Sequence, residues 1–361
     1  MTDVEARPVQ LVAERCGAQL LSGPRAATPA NVVRRLLAVQ GQDARGVRLA
    51  IRARTAGLTA ADVDHAMTVD RSLLITWLNR GTLHLVAAED YWWLQLLTTP
   101  AMEAAISRRL AQEGVSADDA DKAVGVIDAA LAADGPLTRA QLGRAIGSAG
   151  IRTEGQALVH LLATASVRGL IIRGPMVGRA HAFARVSDWL GAPPARFAPG
   201  RFDRDVALAE LARRYLVGHG PASERDLAKW AGLPLRDARR GLNAIAAELR
   251  PRADGLAELA TSPVGRWRGP GQTPDLPPPR LLGSFDPLLH GWVDREPVLG
   301  PATGIVTVNG VFRPFAFVAG RAVATWTLAT GEVALAPFAP LPEPVAAALR
   351  ADAQDVVRFL G

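Results

Sequence analysis

The sequence predicts an α+β protein: tandem winged helix-turn-helix segments, three in number, followed by a small β domain at the C-terminal end. Three observations carry this. An internal repeat aligns "DGPLTRAQL" (134–142) with "HGPASERDL" (219–227); in each, Gly-Pro precedes a hydroxyl residue, Thr138 or Ser223, suited to cap a helix. Amphipathic patterns stand before and after each copy and give way to strand-like stretches, the helix, turn, helix, helix, hairpin order of a winged helix. Near residue 263 the texture changes, from helical periodicity to a Pro/Gly-rich connector and then to alternating strands.

The elements follow in order. In the first segment, 1–115, Thr28 caps a helix with Pro29 at its first position, and Val32, Val33, Leu36 and Leu37 share a face. That helix is expected to reach Gln40, with Gly41 as its terminator. "DVDHAMTVDRSLLITW" reads as helical, and "RGTLHLVAAEDYWWL" as a strand and a helix. Trp92 and Trp93, at the start of that helix, read as core. The second segment, 116–198, has helices at "DDADKAVGVIDAALAA" and "TEGQALVHLLATASVRG", then a hairpin from "GLIIRG" to "GRAHAFARV". The third, 199–262, repeats the order with "RDVALAELARRYLV", "LPLRDARRGLNAIAAEL" and the strand "GLAELA". The last, 263–361, alternates through "GIVTVNGVFRPFAFVAGRAVATWTL", with turns at Asn309-Gly310 and Gly320-Arg321, and closes on the helix "EPVAAALRADAQDVVRFL".

A chain of 361 residues, 49% hydrophobic and 21% charged, fits two to four domains with sizeable cores. Charge-free runs are broken by Pro and Gly before they reach a membrane span, and "MTDVEARPVQ" lacks the pattern of a secretory leader. The single cysteine, Cys16, excludes an internal disulfide and a Cys-rich metal site, and agrees with a reducing cytoplasm. Net charge is +6, and Lys122 and Lys229 are the only lysines. Arginine's fork of donors suits phosphate, so nucleic acid is a candidate partner; a coding bias in a basic soluble enzyme would give the same composition. There is no phosphate loop with lysine, no G-x-S-x-G, no H-E-x-x-H and no CxxC pair. The six histidines are dispersed, and neither a metal nor an organic cofactor is expected.

Residues 38–46, "AVQGQDARG", set two amides around one glycine. In a continuous helix Gln40 and Gln42 would point apart; a helix ending at Gln40 would let them converge. An amide offers donors and an acceptor but is no strong base. Such a pair suits a reaction whose leaving group is already good, such as hydrolysis of the N-glycosidic bond to a cationic alkylated purine. The alternative is a polar helix end bonded to local backbone. Asp43 reads first as a turn residue and second as an electrostatic partner.

These stretches belong to a wider pattern. "LLAVQGQ" (36–42), "TWLNRGTLHLVAAEDY" (76–91), "HGPASERDLAKWAGL" (219–233), "LLGSFDPLLHGWVDRE" (281–296) and "NGVFRPFAFVAGRAVATW" (309–326) stand in the order found in one family. The chain resembles, over nearly its whole length, the bacterial winged-helix DNA glycosylases of the AlkZ/YcaQ type. The resemblance implies tandem winged helices before a barrel-like domain, and excision of bulky or cross-linked alkylated bases from double-stranded DNA. The family's signature of Gln, an apolar residue, then Gln or Asp maps onto Gln40 and Gln42 as the catalytic pair, with Gly41 departing from the apolar middle position. It also draws Arg80 and His84 toward the site.

Further DNA contacts are expected from the basic residues. Arg45, Arg48 and Arg52 share a face if 45–54 is helical; in a strand Arg48, Arg52 and Arg54 do. Arg168, Arg173 and Arg179 (with Arg152 beside them) and Arg236, Arg239 and Arg240 fall on the third helices and wing of the second and third segments, ordinary places for phosphate contacts. Arg266, Trp267 and Arg268 form a basic-aromatic loop able to enter a groove. The alternative for each is a solvated or internal role. Asp286 and Asp294 read first as an internal ion pair with Arg295. The resulting expectation is a monofunctional DNA glycosylase, monomeric and cytoplasmic; the competing reading is a non-catalytic winged-helix regulator or lesion binder.

Overall fold

The computed structural model describes residues 3–178, 180–261 and 275–361. The chain forms two compact units, a larger one from Met1–Val63 with Leu208–Gly361 and a smaller one from Asp64–Ala207. This division is coarser than the four consecutive segments expected, and the larger unit is discontinuous in sequence. The expected loop Arg266–Trp267–Arg268 and Arg179 lie outside the described residues.

The larger unit begins with α1 (Asp3–Ala18), α2 (Pro29–Leu36), the two-residue strand β1 (Val39–Gln40) and α3 (Ala44–Arg52). Thr28 caps α2 as expected, accepting from the Asn31 amide, and Val32, Val33 and Leu36 are buried. The helix stops one turn earlier than expected. Leu37 takes φ 64°, with its side chain fully buried, and the chain leaves as β1.

In the smaller unit, entered through α4 (Ala60–Thr68), the order is β2 (Leu73–Leu78), β3 (Thr82–Ala87), α5 (Tyr91–Thr98), α6 (Glu103–Gln112), α7 (Ala117–Asp134), β4 (Leu137–Thr138), α8 (Arg139–Ser148), α9 (Ala157–Val167), β5 (Ile171–Val177), β6 (Ala180–Arg185) and α10 (Val186–Leu190). Within it the antiparallel strand order is β3-β2-β5-β6-β4. The expected helix across 62–77 is corrected: it ends at Thr68, and "LLITWL" is a strand buried at every position. Burial on both faces removes alternation, so periodicity alone cannot separate such a run from helix. Thr138 forms a capping box with Gln141 ahead of α8.

The larger unit resumes along α11 (Arg204–His219), then α12 (Glu224–Ala231), α13 (Leu235–Ala244), β7 (Arg280–Leu282), α14 (Glu296–Leu299), β8 (Phe315–Val318), β9 (Arg321–Ala329), β10 (Glu332–Pro337) and α15 (Glu343–Leu360). Ser223 caps α12 in a box with Asp226. Strands β10-β9-β8-β7 make an antiparallel meander, and the β8–β9 turn is Ala319-Gly320, one residue before the expected position. The sheet is open where a barrel-like closure was expected. Four strands are too few to close around side chains. Along α15, Leu349, Asp352, Val356 and Phe359 form a buried stripe, and this helix packs on β7 and β10.

Candidate active site

The Gln turn is fastened at both ends. On the α2 side, Arg35 Nε donates to the Ala18 carbonyl (2.9 Å) and Arg214 to the Arg34 carbonyl (3.0 Å). Gly218 of α11 lies so close that an added Cβ would stand 3.1 Å from Leu36 Cα and nearer still to the Arg35 carbonyl oxygen. On the α3 side, Asp43 is the N-cap, accepting from the Gly46 amide. Its carboxylate is thus a helix cap, the turn-forming role expected of it. Gln40 is buried and Gln42 exposed.

α3 sends its arginines in different directions. Arg45 is exposed and reaches the Leu328 carbonyl. Arg48 is buried and donates to the Ala44 carbonyl (2.6 Å). The expectation of a phosphate contact at Arg52 is corrected. Its guanidinium is buried against Asp352 (2.8 Å), Asp355 (2.9 Å) and the Leu281 carbonyl (2.9 Å), which leaves no path to a phosphate. Arg54, just past the helix, is wholly buried and makes a bidentate pair with Asp286 at 2.9 Å for both contacts; Gln19 and the Ala50 carbonyl take the other two Nη protons. Asp286 is thus internally paired as expected, but with Arg54 and not Arg295. Arg295 donates to the Leu289 carbonyl and lies over the Phe312 ring, and Asp294 accepts from the Glu296 amide.

The remaining candidates fall into two groups. In the larger unit, Arg236, Arg239 and Arg240 are exposed on α13, whose opposite face buries Ala238 and Gly241. Arg239 also holds Glu224 (2.7 Å). In the smaller unit, Arg80 is exposed and His84 is buried, its Nδ1 2.9 Å from the Thr82 carbonyl. Burial, aided by the charge of Arg80, holds His84 down at about 3, so it is neutral at pH 7 and carries no proton to donate as an imidazolium. Arg168 pairs with Glu103 and Asp121 (both 2.7 Å), and Arg173 is half-buried in β5. Among the described residues no cluster of three or more His, Cys, Asp or Glu could hold a metal ion.

Sequence reasoning missed the residues that hold the turn, Arg35, Arg214, Gly218 and Gly46, and the contacts that α3 and the residues just past it make with Gly283, Asp286 and Asp352. "GSFDP" was the available signal, but its contacts lie far away in sequence. Two other quoted stretches meet as scaffold. Trp292 Nε1 donates to the His219 carbonyl (3.0 Å), the Val293 amide donates to Asp226 (2.7 Å), and His219 stacks on Tyr215 at 4.8 Å.

The profile of the DNA glycosylase AlkZ-like family matches residues 33–359. A curated relative, the interstrand DNA cross-link repair glycosylase of Streptomyces sahachiroi, is 26% identical over 376 residues, covering 98% of this chain and 96% of that protein. The solved structure of Streptomyces sahachiroi DNA glycosylase AlkZ superposes with a TM-score of 0.72 at 24% identity, over 97% of this chain and 96% of that one. With the family profile spanning nearly the whole chain, this protein belongs to the AlkZ-like family and is a DNA glycosylase.

Proposed function

We propose that the enzyme hydrolyses the N-glycosidic bond of cationic N7- or N3-alkylated purines in duplex DNA, and that bulky adducts and interstrand cross-links are among its substrates. Gln40 and Gln42 are the catalytic residues in this reading. The observation that carries it is a turn with two neutral amides, fixed at both ends, whose one adjacent carboxylate is committed to capping α3. The name of the curated relative supports cross-linked substrates.

A cationic purine departs without protonation. The bond between N and the sugar breaks, its electron pair neutralises the base, and positive charge develops on the sugar. Amide oxygens facing that charge stabilise it, and an amide-held water adds to the sugar carbon and gives its proton to solvent. No strong base is needed, which agrees with the residues of the turn.

We read α7-β4-α8-α9-β5-β6, with β4 pairing to β6, as the second winged helix, α11-α12-α13 with the strand-like residues 257–259 as the third, and residues 1–115 as the first. Residues 263–361 then form the C-terminal domain. DNA phosphates are assigned to the exposed Arg45, Arg80, Arg236, Arg239 and Arg240. The enzyme acts as a monomer in this reading.

The test is release of free base from duplex DNA carrying N7-methylguanine, beside a Gln40→Ala/Gln42→Ala variant. The expected result is release above the spontaneous rate that falls by roughly 10²-fold or more in the variant, with DNA affinity retained. Absence of release from both methylated and cross-linked duplexes, with binding intact, would replace the enzyme by a lesion-binding protein.

A further inference from the structure

We propose that the segment Leu281–Asp286 is a positioning strap for the glycosylase site, setting where the Gln40–Gln42 turn stands through its backbone contact at Gly46. This rests on the reading that the amide pair performs the chemistry.

The strap is tied along one stripe of α3. At its start, the Leu281 amide donates to Asp352 (2.7 Å) and its carbonyl accepts from Arg52 (2.9 Å). At its middle, an added Cβ on Gly283 would stand 2.9 Å from Leu49 Cβ and 3.3 Å from Gly46 Cα. A Cβ on Gly46 would fall closer than 3.0 Å to the Ser284 carbonyl oxygen, a distance real Cβ atoms do not tolerate. At its end, Asp286 closes on Arg54. Gly46, Leu49 and Arg52 recur every three residues, so the strap follows one face of the helix. Asp43, which immediately follows Gln42, is bonded to the Gly46 amide. Any shift of Ser284 is therefore passed to the turn through one residue.

The backbone at Phe285 carries the second indication. It takes φ 57°, a region disfavoured for an aromatic residue, between two fixed neighbours. Its ring is only half-buried, against His290 and Phe312, so burial of the ring does not account for the strain. A strap that must meet Gly46 and then turn into the Arg54 pair does account for it.

An internal control exists. Gly241 of α13 meets the Leu208 carbonyl oxygen as tightly, 2.5 Å from an added Cβ, but away from the strap. Gly46→Ala and Gly241→Ala are compared for melting temperature, DNA affinity, single-turnover base release and amide hydrogen exchange over residues 38–44. Both should melt lower. Turnover is read at saturating protein, so that weaker binding in Gly241→Ala, which shifts the arginines of α13, does not count as lost turnover; there only Gly46→Ala should lose turnover, by roughly tenfold to a hundredfold with affinity kept within about twofold, and only it should speed exchange in the turn. Phe285→Gly, which accepts the positive φ, should keep the rate, and Phe285→Val, which resists it, should lower it. Equal turnover and equal exchange in the two alanine variants would overturn the proposal. If the parent enzyme releases no base, or the Gln40→Ala/Gln42→Ala variant keeps full turnover, the amide reading fails, and the exchange comparison alone decides the strap. Should Gly46→Ala not fold, Gly283→Ala and Phe285→Val carry the same comparison.

Discussion

α3 and α13 are both arginine-rich helices of the larger unit, with opposite uses for their charge. On α3 and just beyond it, Arg48, Arg52 and Arg54 are buried, and the last two close bidentate or multiple contacts with Asp352, Asp355 and Asp286. On α13, Arg236, Arg239 and Arg240 face solvent, because Gly241 and Ala238 seat the other side of the helix against its neighbours. Net positive charge in the sequence is therefore not the same thing as positive surface. One helix uses arginine as an internal fastener, and the other carries it at the surface.

The sharpest way to break this contrast is Asp286→Ala, which strands the Arg54 charge in a wholly buried place. A loss of about 3–5 kcal/mol is expected, read by urea denaturation. The paired replacement Arg54→Met with Asp286→Leu should recover most of it, since the cost lies in the unpaired charge. Conversely, replacing Arg236, Arg239 and Arg240 together with glutamine should leave the melting temperature unchanged and lower the slope of log affinity against log salt by up to about 3, measured by titration with duplex DNA. A salt slope that does not change would show that α13 stands clear of the DNA.

Protonation sharpens the comparison with buried groups that carry no charge. Burial holds both His219, in the larger unit, and His84, in the smaller, down at about 3, against an ordinary 6.5. The unfolded chain takes up protons there that the folded chain refuses. Stability contributed by each is therefore complete above pH 6.5 and falls as pH drops toward 3, by about 1.4 kcal/mol per unit. Denaturation series between pH 7.5 and 5 should flatten for His84→Gln and for His219→Gln. The smallest effect is expected at Asp352. Burial raises its carboxyl, but Arg52, the Leu281 amide and Arg280 outweigh burial and leave it below its ordinary 3.8. Its contribution is present above that value and lost as pH falls below it, so Asp352→Asn should make the acid limb of the stability curve shallower.

Local chemistry was legible in the sequence wherever the partner is near. Thr28, Thr138 and Ser223 cap the helices assigned to them, because a cap reaches only three residues ahead. The amide pair was legible as a motif, but its backbone was not. Leu37 breaks α2 with a positive φ that nothing in "RLLAVQ" announces. The fate of the α3 arginines was also hidden. The helix is buried on nearly all sides, so no face is marked as solvent, and the partners of Arg52 and Arg54 lie 300 and 232 residues away. "SLLITW" misled for the same reason. The barrel-like reading of the C-terminal region came from the family resemblance; strand number and turn spacing by themselves do not say whether a sheet's edges meet.

The larger unit's split sequence orders events during synthesis. Gln40 and Gln42 leave the ribosome early, but the strap follows some 240 residues later, and Asp352 and Asp355 later again. At about 5–20 residues per second, the nascent α2–α3 pair waits many seconds with its apolar faces uncovered, while the smaller unit, contiguous in sequence, can fold at once. A polypeptide whose synthesis stops short of α15 then carries both glutamines yet lacks the carboxylates that fasten α3. The fastening of Arg52, and with it of α3, therefore waits for a helix 300 residues further along the chain.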